Sequence, residues 1–245
     1  MNRLYRRVVK KDKRMDPKQT KLRKQAKAVV GRAAAEFVED DMVIGLGTGS
    51  TAEALIDALI QRCRSGLRMV AVATSKASER QAAEGGIRVI DINDAPEIDL
   101  CIDGADEIDG TKRMIKGGGG ALLREKIVAT ASREMVVIVD ESKCVNQLGA
   151  FPLPVEIIRY GARATLRHLE TCGFAPKLRE TAPGNPFITD NDNYIVDITF
   201  LELLNDPEVV DNAIQKVVGV VETGFFFGIA GRVLIGHYDG TVKFQ

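Results

Sequence analysis

Short apolar segments alternate with segments of helical periodicity through the first half of the chain, and this alternation most constrains the fold. Strands are predicted at residues 42–44, 69–73, 87–90, 100–102 and 135–139, and helices at residues 18–38, 52–63, 75–84 and 121–132. The apolar strands are continuous rather than alternating, as expected for strands buried on both faces. The sequence therefore predicts an α/β fold with a Rossmann-like parallel sheet and helices on both faces.

The pattern changes after about residue 147, where a proline-containing segment at residues 151–154 is predicted to be a connector. Strands and helices then follow in the order βαββαβ, which is typical of ferredoxin-like α+β units. The final apolar segment, residues 228–237, is predicted to rejoin the first sheet. We therefore expect a catalytic domain at 18–147 and 224–245, interrupted by a small inserted domain at 148–223.

Charge is distributed unevenly in a chain of zero formal net charge. The first 27 residues contain 12 Lys or Arg and only 2 Asp or Glu. We predict that residues 1–17 form a disordered basic arm, and that residues 1–14, which precede Met15, are an extension outside the fold. Weak attachment of this arm to anions or nucleic acid is the alternative.

Composition argues against several classes of protein. Aromatic residues make up 5% of the chain and Trp is absent, which disfavours single-stranded nucleic-acid binding by base stacking. The longest apolar segments are far shorter than a membrane span. Four scattered cysteines and two histidines disfavour a zinc site and predict reduced thiols. We expect a cytoplasmic protein with no metal, no cofactor, no membrane partner and no nucleic-acid partner.

A glycine-rich turn follows the first predicted strand. Residues 47–51 read Gly-Thr-Gly-Ser-Thr and lead directly into a helix. Glycines permit a tight turn, and the free N–H groups of a helix start bind phosphate. The segment matches neither a Walker A loop nor a dinucleotide fingerprint. It predicts a phosphate site, although a turn with a Ser or Thr helix cap is the simpler alternative.

An acidic turn follows the predicted strand that ends at residue 102. It reads Asp103-Gly104-Ala105-Asp106-Glu107. Ligands of open α/β sheets bind at the carboxyl ends of strands, so Asp103 and Asp106 are candidates to accept hydrogen bonds from sugar hydroxyls. A magnesium site and an acidic surface turn without function are the alternatives.

A four-glycine loop precedes the helix predicted at residues 121–132. Lys116 opens the loop, and Glu125 lies about one turn into the helix. A carboxylate and a cation on either side of an anion-binding loop suit enolisation next to a carbonyl. Glu125 would take the proton, while the loop amides and Lys116 stabilise the enediolate. A surface ion pair of Glu125 with a neighbouring cation is the alternative.

Two further lysines are weaker candidates. Lys143 follows the strand predicted at residues 135–139, and Lys27 lies on the first helix. Either ammonium group could reach a phosphate bound at the sheet edge, although each is individually typical of an ordinary surface residue.

Four segments together resemble the signature segments of type A ribose-5-phosphate isomerases. They read GLGTGSTA at 45–52, DGADEID at 103–109, MIKGGGGALLREKI at 114–127 and VDESK at 139–143. The order and spacing of the four also match, and the resemblance extends over about residues 18–245. It implies interconversion of D-ribose 5-phosphate and D-ribulose 5-phosphate in the non-oxidative pentose phosphate pathway, without a metal. It also implies a homodimer or homotetramer.

The resemblance implies roles for individual residues. Glu125 would be the general base, Asp103 a candidate for ring opening, and Lys116 a group that stabilises the enediolate. Substrate contacts are implied at Lys27, Thr48, Gly49, Ser50, Thr51, Asp103, Gly104, Ala105, Asp106, Lys116, Gly117, Gly118, Gly119 and Lys143. Gly120 departs from the family, which often has alanine there, and this predicts a more flexible loop.

Two other functions remain open at this point. A sugar-phosphate deaminase or lactonase would share the phosphate-binding turn but would employ a catalytic histidine, and His168 and His237 lie outside the four segments. A sugar-phosphate-sensing domain would need the turn but not Glu125 and Lys116 together.

Overall fold

The computed structural model describes residues 17–245. Seven strands form the largest sheet: β1 (Val43–Leu46), β2 (Val70–Ala73), β3 (Arg88–Val89), β4 (Ile98–Asp103), β7 (Ser132–Asp140), β15 (Ala230–Gly236) and β16 (Val242–Phe244). Their order is β16-β15-β7-β4-β1-β2-β3. All neighbours are parallel except β15 and β16. The predicted return of the chain to the first sheet near residue 230 is therefore confirmed.

Helices cover both faces of this sheet, as predicted. They are α1 (Pro17–Ala35), α2 (Ser50–Arg64), α3 (Lys76–Glu84) and α4 (Leu122–Thr130). Side chains of β7 alternate between two cores: Val136 and Ile138 pack in the core of α1, α2 and α3. Val137 and Val139 pack in the opposite core, with Val128 of α4. Because both faces are buried, the strands have no polar side, which accounts for the continuous apolar runs in the sequence.

The second unit has the predicted βαββαβ order. Its elements are β8 (Leu153–Ile157), α5 (Ala162–Thr171), β9 (Pro176–Leu178), β12 (Tyr194–Ile198), α6 (Pro207–Gln215) and β13 (Val220–Thr223). The four strands of this unit form an antiparallel sheet of order β13-β8-β12-β9. The treatment of residues 148–223 as a separate inserted domain stays a prediction.

Several very short strands were not predicted. A three-stranded sheet of order β14-β6-β5 contains β5 (Glu107–Ile108), β6 (Met114–Ile115) and β14 (Phe225–Phe226). Met114 and Phe226 belong to the core of the main sheet, whereas Ile115 and Phe225 belong to the core of the second unit. A hairpin of β10 (Glu180–Ala182) and β11 (Asn185–Pro186) occupies the turn-rich tract. The three-stranded sheet thus joins the two cores.

The predicted basic arm, residues 1–17, lies outside the described residues except for Pro17, where α1 begins. Within residues 17–245, no helix is both long and apolar enough to span a bilayer. The cysteines are all unpaired.

Candidate active site

The predicted site residues meet at the carboxyl ends of three adjacent central strands, β1, β4 and β7. Strand order reverses between β1 and β4, because the chain passes from β1 to β2 and β3 on one side and places β4 on the other. Open α/β sheets bind ligands at such a reversal. There Thr48 N–H donates a 3.0 Å hydrogen bond to Asp103 Oδ1. The glycine-rich turn and the acidic turn are therefore in direct contact.

A cavity of about 220 Å³ opens at this edge. Fourteen residues line it: Lys27, Thr48, Gly49, Ser50, Thr51, Gly104, Ala105, Asp106, Lys116, Gly117, Gly118, Gly119, Glu125 and Lys143. All the predicted site residues therefore line this cavity except Asp103, which lies beneath its wall in contact with Thr48 and Lys116.

The glycine-rich turn forms one end of the cavity, where α2 begins at Ser50. A Cβ at Gly47 would lie 2.0 Å from Asp103 Oδ1, so only glycine permits this approach of β1 and β4. Thr48 Oγ1 lies 2.7 Å from Thr74 Oγ1 and donates to Ser75 Oγ at 2.9 Å. These contacts fix the turn and leave the start of α2 at the cavity.

A cation reaches the same end of the cavity from α1. Lys27 Nζ donates a 2.7 Å hydrogen bond to Ser50 Oγ and lies 4.0 Å from Asp140 Oδ2. Burial lowers the pKa of Lys27, and the nearby Asp140 carboxylate opposes this effect. An ammonium group, hydroxyls and helix N–H groups together suit a phosphate.

A buried charge cluster forms the other end. Lys116 Nζ lies 2.9 Å from Asp103 Oδ2 and 3.4 Å from Glu125 Oε2, and it donates to the Gly104 carbonyl at 2.5 Å. All three charged side chains are at least 96% buried. Lys116 immediately follows β6, whose pairing with both β5 and β14 fixes its position. One ammonium group therefore serves two carboxylates.

The carboxylates of Asp103 and Glu125 differ in the hydrogen bonds that they accept. Asp103 Oδ1 accepts hydrogen bonds from the N–H groups of Thr48 and Gly104 at 3.0 and 2.7 Å. Glu125 Oε2 is buried and has no hydrogen-bond partner. Burial raises the pKa of Glu125, Lys116 lowers it, and the neighbouring carboxylates raise it again. A buried carboxylate with a raised pKa and little solvation is a strong candidate for a general base.

Asp106 and Lys143 lie on the cavity wall between the two ends. Asp106 Oδ2 accepts a 2.7 Å hydrogen bond from Gly118 N–H, and its Oδ1 lies 3.8 Å from Lys143 Nζ. A Cβ at Gly118 would lie 2.8 Å from the Asp106 carboxylate, so a larger residue would push Asp106 away.

The carboxylates of the acidic turn are directed to different partners. Asp103 is directed to Lys116 and Glu107 to the N–H groups of Gly149 and Phe151, at 2.8 and 2.7 Å. Within the part of the chain that the structure describes, no group of three or more His, Cys, Asp or Glu residues is placed to hold a metal ion.

The glycine loop is held by contacts that oppose the flexibility expected from its fourth glycine. Gly117 and Gly120 have positive φ angles of 95° and 81°. Arg179 Nη1 donates to the carbonyls of Gly117 and Gly118, both at 3.1 Å. Gly120 also packs beneath Phe187, since a Cβ at Gly120 would lie 2.4 Å from the Phe187 ring.

We expect Gly120→Ala to lower the free energy of unfolding by about 2–4 kcal/mol, from the left-handed backbone and the overlap with Phe187. Gly173→Ala is the matched control, because Gly173 has a φ of 90° and open space around it. Urea denaturation of both variants separates the two effects. Equal losses would show that Phe187 does not restrict this position.

Sequence reasoning missed the residues that support the loop and α4 from the second unit. Arg179 follows β9, and Arg124 Nε donates to Asn191 Oδ1 at 2.7 Å. These contacts join residues more than 60 positions apart in the chain, so no local motif marks them. The two histidines do not line the cavity: His168 is exposed on α5, and His237 pairs with Glu141.

Comparisons with known proteins place the chain in a family. A sequence model of the family described as ribose 5-phosphate isomerase A (phosphoriboisomerase A) matches residues 70–240. The ribose-5-phosphate isomerase A of Protochlamydia amoebophila is 49% identical over 219 residues, covering 89% of this chain and 94% of the relative. The chain belongs to the ribose 5-phosphate isomerase A family. The Enterococcus faecalis isomerase is 48% identical, covering 87% and 95% of the two chains.

Solved structures of ribose 5-phosphate isomerases have the same fold. The Plasmodium falciparum enzyme aligns with a TM-score of 0.86 at 38% identity, covering 91% of this chain and 98% of the other. A second isomerase, solved in complex with phospho-erythronic acid, aligns with a TM-score of 0.85 at 36% identity, covering 90% and 97%. Family membership makes this chain an isomerase, and it disfavours both the histidine-dependent enzymes and the sensing domain.

Proposed function

We propose that this chain interconverts D-ribose 5-phosphate and D-ribulose 5-phosphate through a cis-enediol, with Glu125 as the base that moves the proton between C2 and C1. One observation carries the proposal: a poorly solvated carboxylate and a buried ammonium group lie at one end of a cavity whose other end is built for phosphate. Family membership supports the reaction, and the geometry supports the roles of the residues.

The proton transfer follows from the contacts of Glu125. In the open-chain aldose, Glu125 removes the proton from C2, and the electron pair forms the C1–C2 double bond while O1 becomes negative. Lys116 and the loop amides stabilise this oxyanion. A proton then moves from O2 to O1, Glu125 returns its proton to C1, and O2 becomes the ketone oxygen.

The other end of the cavity orients the substrate by binding its phosphate. We assign the phosphate to Lys27, Ser50 and the N–H groups at the start of α2, with Lys143 completing the charge balance. Both phosphate and enediolate are anionic, and three of the lining residues are lysines. Phospho-erythronic acid carries a phosphate and a planar carboxylate, and we expect this chain to bind it as a mimic of the enediolate.

Asp103 is a positioning residue in this proposal. Its oxygens are taken by Lys116 and two backbone N–H groups, and it does not line the cavity. Its contacts therefore do not support the predicted role in ring opening. Asp106 and Glu125 are the two carboxylates that line the cavity, and we assign ring opening to Asp106.

The pH dependence of turnover follows from the environment of Glu125. Only the ionised carboxylate can remove a proton, and burial raises the pKa of Glu125. As pH falls through this raised pKa, the base becomes protonated and kcat decreases. The acidic limb of the kcat profile is expected above the ordinary glutamate pKa of about 4.3. A limb at or below that value would contradict the raised pKa of Glu125.

A coupled assay with ribose 5-phosphate, with and without EDTA, tests the reaction and the expected independence from metal. We expect the same turnover in both conditions, because the charge at the reacting carbons is stabilised by Lys116 and loop amides. Activity abolished by EDTA and restored by a divalent cation would contradict the metal-free mechanism.

The predicted homodimer or homotetramer stays a prediction, and light scattering of the purified protein would determine the oligomeric state. The cytoplasmic location also stays a prediction.

A further inference from the structure

Arg179 contacts the glycine loop from outside the cavity. We propose that Arg179, held by Asp197, is a positioning residue that fixes the glycine loop, so that Gly118 N–H holds Asp106 and Gly119 N–H points toward the reacting end of the substrate. This inference rests on the proposed function and adds to it a residue of the second unit. Arg179 neither lines the cavity nor touches the charge cluster of Asp103, Lys116 and Glu125.

The guanidinium group of Arg179 makes two sets of hydrogen bonds. Nε and Nη2 bind the two carboxylate oxygens of Asp197, at 2.9 and 2.5 Å. Nη1 donates to the carbonyls of Gly117 and Gly118. Such a bidentate pair fixes the plane of the guanidinium group. The direction in which Nη1 points is therefore set by Asp197 and does not depend on the loop. The Arg179 side chain is 16% exposed and that of Asp197 is 25% exposed, which limits competition from water.

The orientation of the loop amides follows from peptide geometry. None of the described peptide bonds is cis, and in a trans peptide the carbonyl and the next N–H point in opposite directions. The Gly117 carbonyl faces Arg179, and accordingly Gly118 N–H faces Asp106 on the cavity wall. The Gly118 carbonyl also faces Arg179, so Gly119 N–H points away from Arg179, toward the cavity. Within the described residues Gly119 N–H has no hydrogen-bond partner.

A free N–H beside the cavity is suited to a developing oxyanion. Gly119 lines the cavity, and a Cβ placed on it would lie 3.6 Å from Thr48 across the opening. Consecutive glycines have many accessible conformations, so an unanchored loop would present this N–H in many directions. Phe187 lies over Gly120 and stacks beside Arg179 at 5.8 Å, which completes the outer support of the loop.

Replacing Arg179 by methionine tests the inference. We expect Arg179→Met to lower kcat about 10- to 100-fold, as for a reacting group that is displaced but not removed. Affinity for phospho-erythronic acid should fall in parallel, because its carboxylate would accept from the same Gly119 N–H. The affinity for inorganic phosphate should change less than twofold, because Lys27 and Ser50 are untouched.

Arg159→Met is the matched control. Arg159 also belongs to the second unit, pairs with Asp192 at 2.6 Å and stacks beside an aromatic ring, that of Tyr194 at 5.5 Å, but it has no contact with the loop. Its replacement should leave kcat and both affinities unchanged. Arg179→Lys and Asp197→Asn supply milder changes that keep the test valid if Arg179→Met does not fold. Both should lower kcat less than Arg179→Met does, with phosphate affinity retained.

Three results would overturn the inference. The first is a kcat within twofold of the parent for folded Arg179→Met, or for Arg179→Lys and Asp197→Asn if Arg179→Met does not fold. The second is an equal loss of phosphate affinity and kcat, which would indicate a merely structural role. The third is an equal loss of kcat in Arg159→Met. Failure of the proposed function is distinguishable, because the parent protein would then not isomerise ribose 5-phosphate at all.

Discussion

Glu125→Gln is expected to lower kcat by about 10²- to 10⁴-fold, the range that removal of a general base usually produces. Glutamine has the same shape but cannot accept the C2 proton. The affinity for ribose 5-phosphate should stay within a few fold, because the phosphate end of the cavity is unchanged. Steady-state kinetics and calorimetric titration measure the two quantities separately.

Glu125→Asp is the matched variant, since it keeps the charge but withdraws the carboxylate by one methylene. Its kcat should lie between those of the parent and the glutamine variant, because misplacement of a reacting group lowers the rate without removing the base. Both variants should remain folded, because Lys116 keeps its closer ion pair with Asp103, at 2.9 Å. Near-normal turnover of Glu125→Gln would remove Glu125 from its role.

Lys116→Met is expected to lower both activity and stability. It leaves the carboxylates of Asp103 and Glu125 buried without a cation, which costs about 3–5 kcal/mol. The pKa of Glu125 should rise further, because Lys116 is the group that lowers it. Since Lys116 also stabilises the enediolate, kcat should fall about 10²- to 10³-fold.

Lys126→Met is the control for this change. Both lysines lie over the Phe226 ring, with Nζ at 5.3 Å for Lys116 and 4.9 Å for Lys126. Lys126 pairs with the partly exposed Glu222 and does not line the cavity, so its replacement should cost about 1 kcal/mol and leave kcat unchanged. Urea denaturation and kinetics of both variants decide the matter. Equal losses of stability in the two variants would show that the buried carboxylates of Asp103 and Glu125 do not depend on Lys116 more than an exposed pair depends on its lysine.

The parts of the site that sequence alone predicted are those carried by contiguous segments. The glycine-rich turn, the acidic turn and the four-glycine loop each follow or precede a regular element of clear periodicity. Their convergence follows from one rule, that parallel strands present their carboxyl ends at the same edge. Glu125 and Lys116 could be predicted in this way because both lie within ten consecutive residues of one segment.

Other features depend on contacts between distant segments. Strands of two residues, such as Met114–Ile115, have no periodicity to detect, yet this strand places Lys116. An acid at a strand end can line a cleft or lie beneath it, and only the complete burial of Asp103 shows that it lies beneath. The contact of Arg179 with Gly117 joins residues 62 positions apart, and no local pattern indicates it.

Isomerisation in deuterated water tests the central claim most directly. Ribulose 5-phosphate is supplied, and nuclear magnetic resonance follows deuterium at C2 of the ribose 5-phosphate formed. The parent protein is predicted to introduce solvent deuterium at C2 in part of the product, because Glu125 lines the cavity and its proton exchanges with water in a fraction of turnovers. Glu125→Gln is predicted to introduce it at least 10²-fold more slowly. Deuterium arriving at the same rate with the variant would contradict the assignment of Glu125.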